Sequence, residues 1–84
     1  MSNKPYQTDN KYTRKELLTA LYNEQLDQLI RTEVDIELIT YLMLKEPNNS
    51  NYAKSKSAKD GNKEQHEKIL QIIDRLIKQE EKNE

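Results

Sequence analysis

The stretch that decides the fold runs from Thr13 to Pro47 and reads TRKELLTALYNEQLDQLIRTEVDIELITYLMLKEP. From Arg14 to Glu46 it holds neither glycine nor proline, and Pro47 closes it because a proline disfavours helical backbone in the residue before it. It opens on Thr13-Arg14-Lys15-Glu16, the pattern of a capping box. There the Thr13 hydroxyl can accept from the Glu16 amide while the Glu16 carboxylate accepts from the Thr13 amide. Tyr12 and Leu17 stand at the positions of a hydrophobic staple. The spacing predicts a helix over 14–46, roughly 50 Å long at 1.5 Å per residue.

Two apolar periods run through that helix. Leu26, Ile30, Val34, Leu38 and Leu42 recur every four residues, and Tyr22, Leu29, Ile36 and Met43 every seven. From Leu38 to Leu44 the apolar residues Leu38, Ile39, Tyr41, Leu42, Met43 and Leu44 point all round the axis, and a helix apolar on every side is normally buried on every side. Two alternatives bear on the middle of the segment. Glu33 to Leu38 alternates strictly enough for a strand. A break near 31–32 fits better, with Thr32 and Asp35 opening a second helix and dividing the segment into 14–30 and 33–46.

Outward from this stretch the chain is polar. Residues 1–12 carry Pro5 and no apolar period, which predicts a flexible N-terminal tail. Residues 47–62, rich in Asn, Ser and Lys and including the turn signal Asp60-Gly61, read as a flexible polar loop. Asn62, with Gln65 three residues on, then caps a shorter helix over 63–80 with the stripe His66, Ile69, Leu70, Ile73, Leu76 and Ile77. Its flanks carry i,i+4 pairs at Lys63–Glu67, Glu64–Lys68 and Asp74–Lys78. The expected fold is all-α, a single helical domain over 13–84. A long helix, a polar loop and a shorter antiparallel helix form a hairpin or small bundle that dimerisation completes.

Composition narrows the function. The 84 residues are 35% charged and 33% hydrophobic, with no Phe, Trp or Cys and one Gly, so a large enzyme core is excluded. Without cysteine there is no disulfide framework, thiolate metal site or thiol nucleophile, and one glycine cannot build a phosphate-cradling loop. His66 is the only histidine, so paired-imidazole metal sites are excluded as well. Glu33, Asp35 and Glu37 spread around a helix axis instead of converging on one ion. No catalytic residue, metal ligand, cofactor or small-molecule substrate is expected, and the chain is read as no enzyme.

Charge separates two partner classes. The whole chain carries −1, but residues 47–63 hold four lysines against one aspartate while residues 17–46 hold six acids against two bases. The lysine-rich segment could touch phosphate and the long helix would repel it, so nucleic acid is not expected as the main partner. The longest nearly uncharged apolar run, Ile36 to Leu44, is too short to span a bilayer, and the first residues lack the apolar core of a signal peptide. A cytoplasmic location without membrane contact is the expectation.

In composition alone the chain resembles the small Lys-, Asn- and Ile-rich regulatory proteins that low-GC Gram-positive bacteria and their phages or plasmids encode. The expected function is a non-catalytic adaptor or inhibitor that binds a protein partner. The alternatives are a small DNA-associated regulator and a coiled-coil assembly factor. The expected interface comprises Leu29, Ile36, Leu38, Ile39, Leu42, Met43 and Leu44. In a C2 dimer Ile36, Ile39 and Met43 would meet their symmetry mates.

Overall fold

In the computed structural model, which describes residues 11–83, two helices run antiparallel: α1, Arg14–Lys45, and α2, Ser50–Lys82. The tail expected over 1–12 falls outside the described residues except for Lys11 and Tyr12, which are non-helical and exposed. The capping box forms, with Glu16 N donating to Thr13 Oγ1 and Thr13 N to Glu16 Oε1, both at 3.1 Å.

α1 then runs unbroken for 32 residues, with neither the strand nor the break at 31–32. Thr32 explains the continuity. Its hydroxyl does not cap a new helix but donates to the Gln28 carbonyl at 2.9 Å, and the residue is buried against α2. Thr19 and Thr40 bond back by four residues in the same way.

The connection is far shorter than the composition suggests. Pro47 and Asn48 make the turn, Asn49 N donates to the Glu46 carbonyl, and the Asn49 side chain accepts from Asn51 N at 3.1 Å to cap α2. Residues 50–62, expected as a flexible linker, are helical, so α2 is 33 residues long and not the shorter helix. Asn62, expected as a cap, lies inside α2, and Asp60-Gly61 continues the helix without a positive φ. The physical reason lies in what the segment lacks and what it carries. No proline follows Pro47, and Ala and Lys are good helix formers. Lysine stems can also cover apolar surface while their ammonium groups stay wet.

The packing line follows one rule from end to end. Leu18, Tyr22, Gln25, Leu29, Thr32, Ile36, Ile39 and Met43 on α1 alternate steps of four and three. So do Tyr52, Lys56, Lys59, Lys63, His66, Leu70, Ile73, Ile77 and Glu80 on α2. Every one of these residues is buried or half-buried. This is the seam of an antiparallel two-stranded coiled coil, and it uses the seven-residue period of α1. Cross-helix pairs fix the direction: Arg14 meets Glu80 at 3.3 Å, Gln25 pairs with His66, and Asp35 meets Lys59 at 3.0 Å. The molecule measures 62 × 27 × 14 Å, one helix thick.

The seam has two halves of different chemistry. At the open end Leu18 faces the region of Leu70, Ile73 and Ile77, and Leu18, Leu70 and Ile73 are the buried apolar residues of the hairpin. Towards the turn, the α2 seam positions are Lys56, Lys59 and Lys63, and the α1 residues Ile36, Ile39 and Met43 are only half-buried. Lys63, expected to pair with Glu67 along its own helix, reaches across to Glu33 at 3.6 Å. The other two expected pairs form, Glu64–Lys68 at 3.7 Å and Asp74–Lys78 at 2.9 Å.

Candidate functional site

A one-layer hairpin leaves the outer side of each helix uncovered, so what lies there decides what the molecule can touch. On α1 that side is apolar. Ile30, Val34, Leu38, Tyr41 and Leu44 are 51, 61, 55, 54 and 80% exposed. At about 100° per residue they fall within about 120° of one another, roughly 160° round the axis from the seam. They form a back stripe on the turn-end half of α1. Charged side chains punctuate it. Arg31 Nε donates to Asp27 Oδ2 at 2.8 Å, and the Lys45 ammonium lies 5.3 Å from the centre of the Tyr41 ring. The hydrogen bond and charge of Asp27 hold the Arg31 guanidinium protonated above its usual range.

A second, smaller apolar patch lies at the open end. Leu17 and Leu21 on α1 and Ile69 and Ile72 on α2 are exposed, and each precedes its own seam by roughly 70 to 130° of helix rotation. Because the helices run in opposite senses, equal offsets bring both pairs to the same broad face. This patch borders the buried core, whereas the back stripe meets α2 at its turn end, where Leu44 shares a hollow with Met43, Pro47 and Ala53.

The expected interface residues divide between two surfaces. Leu29, Ile36, Ile39 and Met43 lie half-buried on the seam towards α2, Leu42 is half-buried beside it, and Leu38 and Leu44 belong to the exposed back stripe. Ile30, Val34 and Tyr41 join them there without having been expected. The signal for Ile30 and Val34 was the four-residue period Leu26, Ile30, Val34, Leu38 and Leu42, which lies largely outside the seam, and for Tyr41 the run from Leu38 to Leu44 that is apolar all round the axis. The capping residues Thr13 and Glu16 act locally, as described above.

The lysine-rich half of α2 is electrostatically occupied. Lys56 pairs with Asp60 at 3.1 Å, Lys59 with Asp35 and Lys63 with Glu33; of the four lysines in this stretch, Lys54 alone makes no ion pair among the described residues. His66 sits half-buried on the seam as the partner of Gln25, whose amide nitrogen donates to its Nδ1.

A hollow of about 810 Å³ is an open groove on the outer face of the first turns of α1, lined among others by Tyr12, Glu16, Leu17, Ala20 and Asn23. Its one carboxylate, Glu16, is already held in the capping box. Among the described residues no group of three or more His, Cys, Asp or Glu side chains could hold a metal ion. Among them, too, no helix is long and apolar enough to cross a membrane. What the described residues offer is contact surface. Comparison with family models, with curated proteins and with solved structures finds no match.

Proposed function

We propose that this chain is a small non-catalytic interaction protein, an adaptor or inhibitor, that engages a protein partner through the back stripe of α1. One observation carries the reading. Five large apolar side chains, each more than half exposed, align on a helix face that the molecule's own second helix does not cover. Scattered surface leucines are normal, but a contiguous apolar stripe is the mark of a surface that is covered in use. An amphipathic helix laid along it would make contacts at i, i+3, i+4 and i+7 spacing. The ion pairing of Lys56, Lys59 and Lys63 within the hairpin supports a protein partner over nucleic acid, since little free positive charge is left for phosphate.

The test separates folding from docking. Val34→Glu combined with Leu38→Glu changes two exposed positions, each expected to move stability by no more than about 0.5 kcal/mol. Circular dichroism should show unchanged helicity. In extracts of cells that naturally make the protein, the wild type should elute in a complex larger than the hairpin and the double variant alone. Retention of the same complex by a folded double variant would remove the back stripe as the working surface.

A further inference from the structure

The back stripe contains a second heptad line, and that line is self-complementary. Asp27, Arg31, Val34, Leu38, Tyr41 and Lys45 alternate steps of four and three, as a coiled-coil seam does, and they lie on the side of α1 away from α2. If the line is set antiparallel to a copy of itself with the two-fold axis at Ile36, position 34 meets 38 of the copy, 31 meets 41, and 27 meets 45. Every layer is then chemically matched. Val34 packs on Leu38, the Arg31 guanidinium meets the Tyr41 ring, and the Asp27 carboxylate meets the Lys45 ammonium, each twice by symmetry. The intrahelical pairs Asp27–Arg31 and Tyr41–Lys45 are already in place and become the two halves of each outer contact.

We infer that the occupant of the back stripe is a second copy of this chain, in a C2 dimer whose two α1 helices cross antiparallel about Ile36. The inference rests on the reading of the stripe as a docking surface and makes a second copy its resting occupant, which the target of an adaptor or inhibitor would have to displace. The dimer pairs α1 through its back, so each hairpin keeps its own seam, including Ile36, Ile39 and Met43, intact.

Area and charge bound the strength. Taking about 160 to 250 Å² for a fully exposed residue of these types, the five stripe residues leave roughly 600 Å² open per copy, somewhat below the about 800 Å² per partner of a standard interface. Glu37 sits at the edge of the stripe close to the two-fold axis and approaches its own mate, a like-charge contact that weakens the pair while it stays in water. Ile30 and Leu44 lie off the paired line, so the buried area is at most roughly that 600 Å² per copy, the size of a small, reversible interface.

The experiment is sedimentation equilibrium of the full chain from about 1 to 100 μM, with charge reversals as the readout of register. Asp27→Lys alone and Lys45→Glu alone should each weaken the dimer by roughly tenfold, because two symmetry-related attractions become repulsions. The combination Asp27→Lys with Lys45→Glu should recover most of the lost affinity, short of wild type because it also ends the Asp27–Arg31 pair and the Lys45–Tyr41 contact within each helix. A wild type that stays monomeric at the highest concentration overturns the second copy as occupant, and so does a dimer that neither reversal weakens or that the double reversal leaves as weak as the single ones. A monomeric wild type whose larger complex in cell extracts still depends on Val34 and Leu38 would overturn this inference alone and leave the docking function standing.

Discussion

Replacing Gly61 with alanine decides whether the lysine-rich half of α2 is a helix. Gly61 lies 12 residues into α2, without a positive φ, and a Cβ built on it meets nothing within 4 Å. An alanine there therefore neither clashes nor strains the backbone, and it removes the entropy that glycine surrenders on entering a helix. The expected gain is about 1 kcal/mol, the difference between glycine and alanine in a helix interior. For a domain of this size that corresponds to a rise of roughly 4 to 8 °C in the thermal midpoint. Thermal unfolding followed by circular dichroism reads the shift, and amide exchange reads its location, with slower exchange expected around Lys59 to Glu64. If Asp60-Gly61 were instead a turn inside a linker, alanine would be neutral or destabilising. A midpoint that stays or falls, with fast exchange over 52–62, would refute the helical assignment of this half.

Three further outcomes follow from the seam. Leu70→Ala removes one of the few buried apolar side chains and should cost about 2 to 3 kcal/mol, at the low end for such truncations because a one-layer hairpin can partly close over the gap; the urea midpoint measures it. Converting Gln25 and His66 together to leucine should extend the dry half of the seam and stabilise the hairpin by about 1 to 2 kcal/mol in denaturant melts, whereas His66→Leu alone leaves Gln25 half-buried without its partner and should gain less. The Tyr52 phenol is held above its usual titration range, first by its hydrogen bond to the Glu46 carboxylate at 3.0 Å, then by lost hydration and the carboxylate's charge. Its folded value lies above the unfolded one, so this contribution is fully present below the ordinary tyrosine range and disappears as pH rises through the raised value. In an alkaline absorbance titration Tyr52 should ionise above the ordinary tyrosine range, and Glu46→Gln should lower its midpoint.

The all-α hairpin was legible because local signals agreed with one another at the start of α1 and at its end: the capping box at Thr13, the absence of glycine and proline, and the stop at Pro47. The first half of α2 was not, because its seam is written in lysines. Tyr52, Lys56, Lys59 and Lys63 keep the heptad spacing as faithfully as Leu70, Ile73 and Ile77, but a search for apolar periodicity passes over them. Asn62 looked like a cap because a short polar residue before a first apolar stripe usually is one, and only the earlier cap at Asn49 makes it internal. The back stripe was half legible. Leu38 and Leu44 stood out in a run apolar on every side, yet which of two competing periods would face α2 depended on α2 itself. Its lysine-bearing seam selects the seven-residue period and leaves Ile30, Val34 and Tyr41 outside.

The docking role of the α1 back stripe is tested most directly by a photo-crosslinking amino acid placed at Leu38, compared with one at Gln71, an exposed position on α2, in cells that naturally make the protein. Leu38 should give a covalent protein adduct of defined mass, and Gln71 should give none. No adduct at Leu38, or the same adducts from both positions, would contradict the assignment of the stripe as the surface through which this hairpin works.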